Sequence, residues 1–489
     1  MADVSRRDFV ATSTALAGIA TVAQLGAAQD ARAQGGFQAA NSAGTGEPDD
    51  DRQRKPGLQS ITAICEVTGG GQKVYGIAVA YDVAIDPASL TKDSFVAGVV
   101  PAAKGYFPGM PQTINKNATT EPARQRAVAA IYTNDKVALR PDGKSVVGPV
   151  VILEFAHDED LSLLTSDSDM VMLSQNKPVR TIEGTTYAAS DKPWSNVGRR
   201  GNHVAIRGVD AWEQSHWWWD DKRSAWLEYS IYLPQSFLKS GGETKAYPLV
   251  LAITHSGTTQ DGTCAQTLTE QCIASIWSMP EEQDRHECVV ITPRYERTTL
   301  NDYWEHTADV ENTWKLIQSL LSNTWNYGNP NRPDRADKVL KIDPKRVYCT
   351  GWSMGAMTSL WIMARHPDTF AGGLIIAGQQ RPADVVTLAH QNLLIITGTE
   401  DGKATPWNEK CVPVWEKAGG KVTRPARRLD PGLIFPVGDQ KVLSAQVEGY
   451  LAEGGNITYL TFQGVDHMAS ARKFFYIQSA RDWLFRQVK

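Results

Sequence analysis

The chain has 489 residues, 42% of them hydrophobic and 21% charged, and a net charge of -4. That length accommodates two or three domains, the balance is that of an ordinary globular protein, and the charge gives no reason to expect a nucleic-acid or anionic-membrane partner. Beyond the N-terminus no stretch is long and apolar enough for a membrane span.

Residues 1–33 read as an export signal. Ser5-Arg6-Arg7-Asp8-Phe9-Val10 resembles the twin-arginine motif, a mildly apolar run follows from Val10 to Leu25, and Ala31-Arg32-Ala33 is a small-x-small cleavage site. Charged, apolar and cleavable segments in that order predict a signal peptide and a periplasmic or secreted destination. Residues 34–57 are polar and aperiodic, and read as a linker. An oxidising destination permits disulfides, but the spacings of Cys65, Cys264, Cys272, Cys288, Cys349 and Cys411 dictate no pairs. Cys264 and Cys272 are the nearest pair, Cys349 reads as a small core residue, and no spacing resembles a zinc site, so no metal or cofactor is expected.

From 58 to 185 the pattern is β. Ser60–Val67, Val74–Ile85, Arg126–Tyr132 and Val146–Phe155 are strand-like, and Gly69-Gly70-Gly71, Asp86-Pro87 and Pro141-Asp142-Gly143 mark turns. Short strands at this spacing predict a β-sandwich. Without a catalytic cluster, this module either shapes a site, binds a surface or mediates assembly, or serves as a spacer.

From 186 to 489 strands alternate with helices. His216-Trp217-Trp218-Trp219 and Trp226 form an aromatic stretch near the junction, expected to pack between domains. Leu227–Pro234 alternates, whereas Tyr247–Thr254 and Glu287–Pro293 are near-continuous apolar runs of the kind covered on both faces. Thr307–Leu321 reads as a helix. Strands follow at Val347–Thr350, Gly372–Ala377, Leu393–Thr397 and Ile457–Phe462, so the fold class is α/β with a doubly wound, mostly parallel sheet.

Gly351-Trp352-Ser353-Met354-Gly355 lies between the strand ending at Thr350 and a predicted helix over Ala356–Ala364. In that context G-x-S-x-G exposes its serine on a sharp turn at a helix N-terminus. Three further loops at strand C-termini carry polar groups, where ligands bind in such sheets. His255-Ser256-Gly257-Thr258 is a candidate oxyanion loop, with the Met354 N–H as the first donor and Ser256 or Gly257 as the second. Gly398-Thr399-Glu400-Asp401-Gly402 offers Asp401 as the carboxylate, with Glu400 as the fallback. Gly464-Val465-Asp466-His467-Met468 offers His467 as the base, with His255 and His306 as competitors among the 9 histidines. The order Ser353, Asp401, His467 is the one used by α/β-hydrolases.

GWSMG, GTED and VDH together resemble the α/β-hydrolase superfamily, in its polyhydroxybutyrate-depolymerase-like and predicted-peptidase branch. Residues 85–96, IDPASLTKDSFV, resemble the loop and strand of bacterial immunoglobulin-like domains, and the chain as a whole is similar to bacterial esterases with such a module ahead of the catalytic domain. The family usually shows His-Gly where this chain has His255-Ser256. The resemblance implies a serine carboxylic ester hydrolase acting on small-molecule or polymeric esters. Trp304, Trp352 and Trp407 are candidates for an aromatic substrate wall, and there is room for a homo-oligomer through the immunoglobulin-like domain. Polyester depolymerase, peptidase and a non-catalytic surface binder are the alternatives.

Overall fold

The computed structural model describes residues 56–99, 124–140, 142–156, 171–198, 201–220, 222, 224–240, 245–259, 263–322, 339–425 and 440–489. The predicted signal peptide and nearly all of the linker lie outside these residues.

Two antiparallel hairpin systems build the first domain. Strand Leu58–Thr68 turns at Gly69-Gly70 into Gly71–Tyr81, which pairs with Val150–Phe155 and through it with Val128–Asn134. A second sheet joins Ser190–Ser195, Val171–Gln175, Phe95–Val99 and Arg124–Arg126. Alternation places Ile61, Ala63, Ile77, Val79, Val151 and Leu153 in the core with Phe95, Ala97 and Leu173 of the facing sheet. This is the expected sandwich, but it extends past residue 185. Ser190–Ser195 belongs to one sheet, and Val204–Arg207 pairs in parallel with Leu58–Thr68 in the other. The sequence placed those strands in the second domain because the crossing segment lacks strong alternation.

The second domain is one nine-stranded sheet. Its order is Trp212–Asp220, Ala225–Tyr232, Val289–Arg294, Ala246–Ile253, Lys341–Trp352, Gly372–Ile376, Leu393–Gly398, Ile457–Phe462 and Val422–Thr423. The first two strands run antiparallel to their neighbours and the rest are parallel. Successive side chains of a strand point to opposite faces. Leu249 and Leu251 therefore enter one core, with helices Ala308–Leu321 and Met354–Arg365, while Val250 and Ala252 enter the other, with helix Gln478–Arg486. This two-faced burial accounts for the unbroken apolar runs.

The tryptophan stretch does not pack between the domains. Trp212–Asp220 is the sheet's edge strand, on which Trp217 and Trp219 are 56% and 57% exposed, with Trp217 resting on Trp226 at a ring distance of 5.1 Å. The domains meet elsewhere. Val67, from the first sandwich hairpin, lies in the same packed cluster as Leu268, Cys272 and Ile273. The Cys272 N–H donates to Thr68 O, the Gly69 N–H donates to the Tyr476 hydroxyl, and Arg207 bridges Glu66 and Glu281.

All six cysteines are free, buried thiols, so Cys264 and Cys272 form no disulfide. Their closeness in sequence reflects one short helix, Cys264–Thr269, and its exit, both packed inward. Burial pushes the thiols of Cys65, Cys264, Cys272, Cys349 and Cys411 up to about 12, which removes them from nucleophilic chemistry at neutral pH.

Candidate active site

Strand Lys341–Trp352 delivers Ser353 directly to the N-terminus of helix Met354–Arg365. Between them the chain reverses at one residue, and Ser353 adopts φ 56°, ψ -125°. A side chain resists that conformation, at a cost of about 1–3 kcal/mol. The two flanking glycines make the reversal sterically feasible. A Cβ on Gly351 would lie 2.5 Å from the Gly355 carbonyl carbon, and one on Gly355 would lie 2.0 Å from Ile253 O. The Met354 N–H is in the helix's first turn, where no intrahelical acceptor exists. Its sulfur accepts the Thr299 N–H, which ties the helix to the loop leaving strand Val289–Arg294.

Asp401 follows strand Leu393–Gly398 and is 1% exposed. Its Oδ1 accepts the N–H groups of Lys403 and Ala404, and Oδ2 lies 2.8 Å from His467 Nδ1. Burial works to raise its pKa, but the hydrogen bond and charge of His467, with the two backbone N–H groups, hold it below the usual carboxylate value. The neighbouring Glu400 is exposed, and its N–H donates to Val465 O.

His467 opens helix His467–Lys473, which Asp466 caps by accepting the Ala469 N–H. Its Nε2 lies 2.9 Å from Ser353 Oγ. An ionised carboxylate only accepts, so the ring proton is on Nδ1 and Nε2 is left to accept the serine proton. Serine, imidazole and carboxylate thus form one connected line, drawn from three strand ends. Of the competitors, His306 packs on Trp361 and His255 on Trp352.

The proposed aromatic wall divides. Trp352 is 2% exposed and offers no face to a substrate. It lies beneath the site, in contact with the rings of both His255 and His467, and its Nε1–H donates to Ser470 Oγ. The sequence showed its adjacency to Ser353 but not that strand alternation turns it inward. Trp304 and Trp407 are half-buried and meet edge to face with centroids 5.0 Å apart. The loop of Trp304 is joined to the start of helix Ala404–Lys417, which carries Trp407, by Asp302, which pairs with Lys403 and accepts from Gln379 at 3.0 Å.

In the candidate oxyanion loop, Ser256 is exposed and starts a single 3-10 turn, Ser256–Thr258. The Gly257 N–H is donated to His255 Nδ1 at 3.0 Å. Glu270, on the far side of that imidazole, had no signal in the sequence, since nothing in the spacing relates it to His255.

Residues 60–188 match the family described as the esterase Ig-like N-terminal domain, and residues 336–380 match the prolyl oligopeptidase family. A putative esterase, NocK, from Nocardia uniformis subsp. tsuyamanensis is 39% identical over 70 residues, which is 14% of this chain and 20% of that protein. The chain therefore spans about a fifth of the length of that curated relative. Across the whole architecture it is similar to the crystal structure of a thermostable esterase, with TM-score 0.62, 17% identity, and coverage of 88% of this chain and 100% of that one. That likeness establishes the fold: an α/β-hydrolase domain preceded by an immunoglobulin-like one.

Proposed function

We propose that the chain is an exported serine hydrolase of carboxylic esters, working through an acyl-enzyme. The observation that carries the reading is the line from Asp401 Oδ2 through His467 to Ser353 Oγ, 2.8 Å and 2.9 Å long. In this reading Ser353 Oγ attacks the acyl carbonyl and His467 Nε2 takes its proton. The alcohol leaves with that proton, and water then repeats the sequence to free the acid. Asp401 keeps the imidazole in the tautomer that leaves Nε2 as acceptor and stabilises the imidazolium. The Met354 N–H and one N–H of the loop 255–257 hold the oxyanion. Trp304 and Trp407 form one apolar wall for the acyl or alcohol part.

Esters are favoured because the N-terminal domain belongs to a type described from esterases and because the curated relative is a putative esterase. Peptide hydrolysis is the second reading, favoured by the prolyl oligopeptidase match over residues 336–380. Export rests on Arg6-Arg7 and the segment behind it. Hydrolysis of a short p-nitrophenyl ester by the wild type and by Ser353→Ala, beside a chromogenic peptide, tests the assignment. Equal ester turnover by the two proteins sinks it, and faster peptide than ester cleavage moves it to the second reading.

A further inference from the structure

The strand Ala246–Ile253 ends against the serine turn. A Cβ on Gly355 would lie 2.0 Å from Ile253 O and 2.5 Å from Thr254 O, so residues 254–257 emerge beside Ser353. Two N–H groups in this loop are candidates for holding an oxyanion, and they are not equivalent. The Gly257 N–H is already donated to His255 Nδ1. The Ser256 N–H makes no hydrogen bond among the described residues, and Ser256 is exposed at the loop's tip.

The histidine that captures Gly257 is itself held on several sides. An accepting Nδ1 puts the proton of the neutral ring on Nε2. That atom lies 3.5 Å from Glu270 Oε2, and the two side chains are 9% and 5% exposed. The ring edge rests on Trp352 at 4.9 Å. The turn beyond is pinned by its own threonines, with Thr258 Oγ1 donating to His255 O and Thr259 Oγ1 donating to Ser256 O. Burial, helped by the charge of His467, pushes His255 down to about 4, so the ring stays neutral and keeps its acceptor at neutral pH.

We propose that the Ser256 N–H is the second oxyanion donor, and that His255, backed by Glu270, is the positioning residue that commits the Gly257 N–H and leaves the Ser256 N–H free. The proposal rests on Ser353 being the acyl-transfer nucleophile.

A proline at 256 removes the proposed donor and little else. Proline is accepted at the first position of a helical turn, and His255, at φ -88°, ψ 175°, already has the extended backbone that a following proline requires. Ser256→Pro should lower kcat for a p-nitrophenyl ester about 100-fold, the range for loss of one oxyanion donor, with KM within about threefold and an unchanged melting temperature. His255→Phe keeps a ring against Trp352 but loses the acceptor, and should lower kcat about tenfold or more. His255→Asn restores an acceptor near Nδ1 and should recover most of that loss.

The proposal is overturned if Ser256→Pro keeps kcat within about threefold of the wild type, or if His255→Asn is no better than His255→Phe. Should Ser256→Pro fail to fold, the His255 pair decides alone. Ser353→Ala run in parallel separates the two readings. If that variant retains wild-type turnover, the nucleophile assignment falls and this proposal with it. If it is inactive while Ser256→Pro is active, only the present proposal falls.

Discussion

The Trp352 indole N–H donates to Ser470 Oγ at 3.0 Å, and Ser470 Oγ in turn donates to the carbonyl of His467 at 2.6 Å. Trp352, which precedes Ser353, and the loop carrying His467 are thereby locked together through a buried hydroxyl. The ring of Trp352 also supports the His467 ring at 5.2 Å. Trp352→Phe keeps most of the packing and removes the donor. It should cost about 1 kcal/mol of stability through the lost indole hydrogen bond and lower kcat about tenfold by loosening the imidazole. A variant with wild-type kcat would show that His467 is held without this link.

Replacing Asp401 by Asn tests the carboxylate through its backbone partners. Oδ1 is held by the N–H groups of Lys403 and Ala404, so the amide oxygen of Asn stays there and its NH2 faces His467 Nδ1. The imidazole must then accept at Nδ1 and carry its proton on Nε2, where it no longer accepts from Ser353. Asp401→Asn should lower kcat by about 10⁴-fold, the loss known for this tautomer error in a serine protease, whereas Glu400→Gln should have little effect. The reverse ranking would reassign the acid.

The strain at Ser353 predicts a trade between stability and activity. At φ 56°, ψ -125° a glycine is unstrained. Ser353→Gly should abolish hydrolysis while stabilising the fold by about 1 kcal/mol, which is about 1–2 °C in a chain of this size. Ser353→Ala should also be inactive but gain nothing, since alanine resists the same backbone. Equal melting temperatures for the glycine and alanine variants would show that the turn stores no strain.

Stability should fall as the solution is acidified from pH 6.5 toward 5. His255 and His216 are each pushed down to about 4, by burial in both and additionally by the charge of His467 in the case of His255. In the unfolded chain they titrate near 6.5, so between these values the unfolded state takes protons that the folded state refuses. Their contribution is complete above 6.5 and shrinks as pH falls. Asp210 opposes them. Burial raises it to about 7 despite the Ile206 N–H, so its contribution is complete below about 4 and is lost as pH rises through 7. The three together leave a net slope of about one proton, about 1.4 kcal/mol per pH unit. Asp210→Asn, which keeps an acceptor for Ile206, should steepen it toward two protons. Denaturant midpoints at pH 5, 6 and 7 for both proteins measure this, and an unchanged slope in the variant would remove Asp210 from the account.

The sequence made some parts of the molecule legible and not others, for physical reasons. Ser353, Asp401 and His467 were readable because each sits where a buried strand stops, and apolar runs such as Tyr247–Thr254 and Leu393–Thr397 mark those stops. The last strands of the sandwich were harder, because Ser190–Ser195 and Val204–Arg207 are short and mixed in character, and the partner of Val204–Arg207 lies more than a hundred residues earlier in the chain. Trp217 and Trp219 were misplaced because three consecutive tryptophans look like a buried cluster. On an edge strand, alternation puts Trp217 and Trp219 on the exposed side and turns Trp218 toward the core. The contact of His255 with Glu270 lies between a loop and a helix end and leaves no periodic trace.

The two domains should unfold together. Trp217 and Trp219 are exposed and Trp218 packs on the core of its own domain, so the tryptophan stretch does not couple the domains. The coupling runs instead through the tip of the first sandwich hairpin. Val67 shares a packed cluster with Ile273 and Trp277, Thr68 O accepts the Cys272 N–H, and the Gly69 N–H is donated to the Tyr476 hydroxyl, 407 residues away. Burying Val67 is worth about 1.5–3 kcal/mol, and leaving the Gly69 N–H unpaired costs about 1–3 kcal/mol, so these few contacts are a substantial fraction of a domain's stability. The sandwich sheet also takes in Val204–Arg207, immediately before the turn at Gly208, whose carbonyl accepts the Trp212 indole N–H. The covalent junction is therefore packed on both sides and is not a free linker. Calorimetry of the chain should show one transition, Tyr476→Phe should lower it by a few degrees, and a fragment beginning at residue 208 should melt lower still. Two separate transitions in the intact protein, with a fragment that melts at the temperature of the upper one, would show that the immunoglobulin-like domain is an independent bead.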